Sequence, residues 1–324
     1  MIATIINKAI IQGIPLLFGS TGEILTEKSG NLNLGIPGIM YVGGSAGVIG
    51  AYIYEQSVAT PQAFWCIVIP LLSSILGSFL AALIYSFLTI TLRANQNVTG
   101  LALTTFGVGF GDFFGGSLTK IMSGGGNLSV KTTADFYKTT LPFADDLGAF
   151  GEIFFNYGFL AYLAVIIALV AAYVLKHTRV GLHLHAVGEN PATADAAGIN
   201  VTKYKYVATC VGGIIAGLGG LYFIMDYTGG SWTNGGFGDR GWLAIALVIF
   251  ALWKPNIGII GSFVFGGLYI AYSYMDGLSR SAVAIFNMLP YVVTILVLIL
   301  TSVRRKKENQ PPQSLGLPYF REER

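Results

Sequence analysis

Charge is scarce in this chain: Asp, Glu, Lys and Arg make up 11% of 324 residues. A water-soluble domain carries about a quarter, so a solvated globule is excluded. Cysteine is scarcer still. Cys66 and Cys210 lie inside apolar runs, far from any Cys-x-x-Cys spacing, and read as small buried hydrophobes rather than a disulfide or metal site. The three histidines, His177, His183 and His185, crowd one stretch. The pair 183/185 is the only start of a metal site, and no further ligand stands at a telling spacing, which makes an intramembrane metalloenzyme the weakest reading. Gly-x-x-x-x-Gly-Lys-Ser/Thr is absent, so the chain has no phosphate cradle of that kind and must borrow energy from elsewhere. A net charge of +3 gives no ground for a nucleic-acid partner. The opening MIATIINKAIIQGIPLLFGSTGEIL has no charged leader before a small-residue cleavage site and reads as a retained first span.

What the chain does have is apolar length. Hydrophobic residues are 53%, mean hydropathy is +0.65, and 43 glycines suit helices whose backbones approach closely in a membrane. A span needs about 20 apolar residues. That ruler gives an all-α polytopic bundle of nine spans, within a range of eight to ten, near 2–25, 32–53, 64–92, 97–118, 153–175, 207–226, 242–253, 258–275 and 282–302. The seventh is short, and tilted, broken or partly inserted. Alternating spans put thirteen Lys and Arg on the side that holds residues 176–206 and six on the other. The positive-inside rule then places the N-terminus outside, and the C-terminus and the 176–206 loop inside, a multi-pass protein of the cytoplasmic membrane. Residues 1–303 form the membrane domain. The Arg304–Lys307 cluster stops the last span and rests on anionic headgroups, and the polar tail over 304–324 is expected to be disordered.

The polar interruption Lys176–Tyr206 organises the rest. Its middle, GENPATADAAGI at 188–199, is punctuated as a short helix: Asn190 as N-cap, Pro191 at the first helical position, Gly198 as C-terminal stop. So short a helix is marginal alone and needs something to pack against. The string AVGENPATADAAGI resembles the coupling segment of ABC importer permeases, in the form found in the branched-chain amino acid, simple sugar and nucleoside permease family, closest to its nucleoside branch. A second stretch, EKSGNLNLGIPGIM at 27–40, is similar to the sequence those permeases carry between their first two spans, although members often have Glu where this chain has Pro37. The resemblance implies a cytoplasmic helix seated in a cleft of an ATP-hydrolysing subunit, with Glu189, Asn190, Pro191, Ala194 and Gly198 as its coupling residues. It implies no cofactor in this chain, ATP and Mg being held by the partner ATPase. Its other partners would be a second permease, like or unlike, an extracytoplasmic substrate-binding lipoprotein, and membrane lipid.

Polar residues near the membrane supply candidates for a pathway. Asn31 and Asn33 precede Gly35, Pro37 and Gly38, which break the start of a helix; backbone so exposed is tolerated where protein or a watery cavity covers it. Span four opens with Asn97 and carries Thr104, Thr105, Phe106 and Asp112. A nucleoside cavity needs amides or hydroxyls for base edges and ribose and aromatic faces for stacking, which selects Asn31, Asn33, Asn97, Thr104, Thr105 and Phe106. A simple-sugar cavity of the ribose type is the alternative. An ion-coupled transporter would lean on Glu23, Asp112 and Asp226 and show inverted repeats, and no clear repeat is present. Residues 119–152, with Gly124–Gly126, form a segment on the outer side that caps the entrance or meets a delivering protein. Asp226 and Asp239 are both candidate partners for Arg240.

Overall fold

The computed structural model describes residues 2–123, 128–274, 279–304 and 309–321. The Gly124–Gly126 stretch and residues 305–307 of the basic cluster lie outside that set. Apart from one isolated bridge, Ser129 to Ser231, the described secondary structure is helical.

α1 (Ile2–Lys28) and α2 (Ile36–Ser57) are followed by α3 (Ala63–Ser86), which runs on through a π-helical turn at Phe87–Thr91. α4 (Gln96–Ser123) leads to two short helices, α5 (Lys131–Tyr137) and α6 (Gly148–Phe154), then to α7 (Phe159–His177). α8 (Arg179–Glu189) and α9 (Pro191–Ala196) precede α10 (Val201–Tyr222), which continues as a π-helical turn to Tyr227. α11 (Arg240–Phe250), α12 (Pro255–Ile270) and α13 (Arg280–Arg304) complete the chain. α1 packs along α10 and α12, and α2 along α3, α10 and α4, so α1, α2 and α10 are enclosed by the rest.

Close approach explains that centre. A Cβ on Gly22 would collide with the Gly212 carbonyl, and a Cβ on Gly212 with the Gly22 carbonyl. With no side chain between them, the α1 and α10 backbones meet directly, the way membrane helices gain dispersion contact where lipid offers no hydrophobic driving force. Around this seam Leu17, Phe18, Met40, Ala216, Leu221 and Tyr222 are buried.

Each of the nine apolar stretches has a helix, but among the described residues seven helices are long and apolar enough to cross a membrane. α4 has the length, at 28 residues, with an apolar run diluted by glycine, threonine and Asp112. α11 has 11 residues, about 16 Å of helix against a hydrocarbon core of about 30 Å. The 228–239 loop that precedes it packs inward: Trp232 and Phe237 are buried and meet Tyr41 edge-on. Within the 119–152 segment, the described residues from 128 onward are fastened to the bundle. The backbone N–H of Thr133 donates to Glu55 Oε1 at 2.7 Å and Tyr137 OH to the Ile67 carbonyl at 2.7 Å.

Two sequence expectations change. Arg240 pairs with neither Asp226 nor Asp239 among the described residues. It donates to Gln12 Oε1 and to the Gly236 and Phe237 carbonyls, and lies against the rings of Phe223, Tyr227 and Tyr269, so aromatic faces and carbonyl dipoles hold the buried cation. The tail, expected to be disordered, is seated over 309–321. Lys254 Nζ donates to Asn309 Oδ1 at 2.8 Å, Ser314 N to the Gly188 carbonyl at 3.0 Å, and Gly316 N to the Gly30 carbonyl at 3.3 Å. Polar composition made it look loose; backbone groups of distant loops give it order.

Candidate functional site

One end of the bundle carries the α8–α9 segment, and its local structure follows the sequence closely. Thr178 caps α8 by accepting from Gly181 N at 3.2 Å. Asn190 ends α8 and caps α9, its Oδ1 accepting from Thr193 N at 3.0 Å with Pro191 in the first turn. At the other end Gly198 N donates to the Asp195 carbonyl and Ile199 N to the Ala194 carbonyl, both at 3.0 Å, with Gly198 at φ +84°. This is a Schellman stop, whose left-handed position favours glycine. Ala194 is buried with Val187 and Val201; Glu189, Asn190, Ala192, Thr193, Ala196 and Ala197 are exposed. The segment is thus a knob with a small-residue outer face and Ala194 as its inner anchor.

The knob is pinned to the centre of the molecule. A Cβ on Gly188 would strike the Lys28 carbonyl at the end of α1, so the α8 terminus rests on that backbone. The tail passes across the same place: Ser314 holds Gly188, Tyr319 OH donates to Asp195 Oδ2 at 2.8 Å, and Arg321 Nε meets the same oxygen at 3.2 Å. Phe320 lies under the Arg93 guanidinium, 4.6 Å from its ring centre. Composition gave no sign of this strap, because its contacts join residues far apart in the chain. The histidines serve the same packing. His183 Nδ1 is 2.8 Å from Tyr204 OH and His177 lies against Tyr173. Burial, with Lys28 nearby, pushes the His185 imidazole below its usual value.

Directly beneath the knob is a buried polar cluster at the 27–40 stretch. Glu23 Oε1 accepts from Asn33 N at 2.9 Å, Gly35 N donates to Asn33 Oδ1 at 2.9 Å, and Leu32 N to Gln96 Oε1 at 2.7 Å. Asn31 Nδ2 donates to Thr209 Oγ1 at 3.1 Å. Tyr85 OH donates to the Leu32 carbonyl, and Trp253 Nε1 to Glu27 Oε2. Leu252 and Trp253 both have positive φ, 54° and 56°, a costly conformation for large residues that aims the indole at Glu27. Buried polar groups of this kind are expensive to leave unpaired, and here they bind the non-helical 29–35 turn to α1, α3, α4 and α10.

The pathway candidates therefore divide. Asn31 and Asn33 are fully buried and Thr104 nearly so, its Oγ1 donating to the Leu34 carbonyl at 2.7 Å; these three fasten the 29–35 turn. Asn97, Thr105 and Phe106 are exposed on α4. With Val98, Leu101 and Phe113 they form an unpartnered face at helical spacing, and the position of Gly109 on it is open. Asp112 leaves that face to accept from Gly235 N at 3.2 Å. Gln96 and Trp253 escaped the sequence reading. Gln96 stood beside a chosen asparagine, and Trp253 looked only like the end of an apolar run.

Comparison with known proteins matches this architecture. The family model described as "Branched-chain amino acid transport system / permease component" covers residues 5–298. The nucleoside ABC transporter permease protein NupC of Lactococcus lactis is 30% identical over 303 residues, 91% of each chain. The guanosine ABC transporter permease protein NupQ of Bacillus subtilis is 29% identical over the whole of this chain and 98% of that one. The ribose import permease protein RbsC of Escherichia coli is 28% identical over 144 residues, 44% of each chain. A membrane-spanning helical bundle with no Walker loop of its own, matched to the family model over nearly its whole length, belongs to the branched-chain amino acid transport system permease component family, as a multi-pass ABC transporter permease, a transport subunit rather than an enzyme.

Proposed function

We propose that this chain is the transmembrane subunit of an ATP-driven importer that carries nucleosides across the cytoplasmic membrane by alternating access. The observation that carries the proposal is the α8–α9 knob, exposed on its small-residue face and seated on the Lys28 carbonyl by Gly188. In this reading a separate ATPase holds ATP and Mg, and closure of its dimer pushes on Glu189, Asn190 and Pro191, while Ala194 and Gly198 keep the knob rigid. Because the α8 terminus bears on the end of α1, the push reaches the central helices α1, α2 and α10 without slack.

Orientation and span count follow the same logic. Lys28, Arg93, Lys176, Lys203, Lys205, Lys254 and Arg321 line cavities at the knob's end of the bundle, and a basic end belongs inside. Trp253, after α11, reaches Glu27 at that same end, while Arg240, at its start, reaches Gln12 further along α1. Counting α4 and the α11–loop unit as crossings gives nine, with the N-terminus outside and the C-terminus inside. A second permease, like or unlike, faces the exposed stripe of α4, where Asn97, Thr105 and Phe106 offer amide, hydroxyl and aromatic contacts to a nucleoside. A substrate-binding lipoprotein docks on the outer cap.

The nucleoside assignment rests on the named activities of the relatives from L. lactis and B. subtilis; the ribose permease supports a sugar substrate as the second reading. Uptake of labelled guanosine and of labelled ribose by cells carrying the complete transporter separates the two. Guanosine accumulation that stops on ATP depletion, with ribose excluded, is expected. Ribose uptake alone would move the substrate to the sugar class, and uptake that survives ATP depletion would remove the importer assignment.

A further inference from the structure

Beside the knob lies a cavity of about 770 Å³, walled by α9 and the start of α10, by the end of the α3 π-turn and the start of α4, and by the strap. That volume is in the range of small-molecule sites, and among the described residues its lining is mainly basic. Arg93, Lys203, Lys205 and Arg321 line it together with Asp195, whose carboxylate Tyr319 and Arg321 engage.

Lys205 is the decisive residue. It is 3% exposed, it lines the cavity, and no hydrogen bond or ion pair joins it to another described residue. The other two buried cations are provided for: Lys28 lies beside Glu189 and Glu27, and Arg240 is hydrogen-bonded and caged by rings. The stem is buried while the ammonium opens on the cavity, where an anion would supply the counter-charge it lacks. Two further features face the same space. Asn200 caps α10 by accepting from Lys203 N, leaving the earlier amides of a 22-residue helix free toward an anion. Asn31 contributes Oδ1, a buried acceptor with no partner, which suits a ligand hydroxyl.

We propose that this cavity binds a phosphate ester, with the phosphate between Lys205, Lys203, Arg93 and the start of α10, and a hydroxyl-bearing body reaching toward Asn31. The shared chemistry has two sources, the headgroup of an acidic phospholipid or a soluble phosphate monoester. The site is separate from the transport pathway proposed above and does not depend on it.

The test uses the full-length chain in nanodiscs of phosphatidylcholine, with binding of labelled adenosine monophosphate and of labelled inorganic phosphate measured by equilibrium dialysis. Saturable binding of one equivalent of at least one of these probes, or retention of phosphatidylglycerol as below, is expected. Lys205→Met weakens it tenfold or more, Lys205→Arg preserves it, and Lys131→Met, outside the cavity, leaves it unchanged. If Lys205→Met does not fold, Lys203→Met combined with Arg93→Met reads the same site from its rim, with the same loss expected. In discs containing phosphatidylglycerol, a headgroup site shows loss of monophosphate binding and a phosphatidylglycerol retained in native mass spectra by the wild type and not by Lys205→Met; a soluble-ligand site keeps its monophosphate. Failure of all three probes to bind in a Lys205-dependent way overturns the proposal.

Discussion

The inner and outer helices of this bundle are built on opposite rules. In the apolar windows of α1, α2 and α10, 78%, 78% and 83% of residues are buried, against 11% in α13. Yet the inner three carry Glu23, Glu27, Thr209 and the glycine seam, whereas α13 exposes Ile285, Met288, Ile295, Leu296 and Ile299. In a soluble protein burial and hydrophobicity rise together; in lipid the most apolar side chains face outward and the centre is held by close backbones and by polar side chains that fasten the 29–35 turn. The knob bears on the polar, closely packed centre where Gly188 meets the Lys28 carbonyl, and the mechanism proposed above relies on that close packing.

The comparison is broken most severely at the seam. Gly212→Leu drives a side chain into the Gly22 carbonyl and is expected to cost about 3 kcal/mol or more, seen as loss of folded protein in detergent. Leu296→Ala on the outer face should stay within about 0.5 kcal/mol. Equal losses from the two would erase the distinction between the layers. Next is Trp253→Phe, which removes the donor to the buried Glu27 carboxyl; a melting midpoint lowered by the equivalent of about 1–3 kcal/mol is expected. Asn190→Ala removes the cap of α9, worth about 1 kcal/mol locally. Faster amide exchange confined to 190–199, with an unchanged midpoint for the bundle, is the expected reading.

The smallest effect is in pH. His185 is held below its usual value by burial, with Lys28 adding to it, so the unfolded chain takes up the proton first. Its contribution to stability is full above about pH 7 and is lost as pH falls through the usual imidazole range near about 6.5. His185→Gln should flatten that decline between about pH 7 and 5; a variant with the same slope as wild type would assign the slope to other groups.

How much of this was legible depended on range. Asn190, Pro191 and Gly198 act within a few residues of themselves, so cap, first turn and stop were spelled out locally. Apolar length alone located the helices, although it overstated α11, whose 11 residues are too few to cross a membrane by themselves. Polarity flagged Asn31, Asn33 and Thr104 but not their task, because whether an amide faces a pathway or fastens a turn depends on what packs against it. The strap was invisible for the same reason. Ser314, Tyr319 and Arg321 look like a solvated tail until Gly188 and Asp195 are brought beside them.

The most direct test of the central claim is whether the knob is where the ATPase grips. The permease is purified from its own membranes with and without Glu189→Arg, and the ATPase retained is measured alongside the melting midpoint of the bundle. The account predicts that the wild type brings the ATPase with it and that the variant loses it at an unchanged midpoint; a variant that folds normally and keeps its ATPase in full would contradict it.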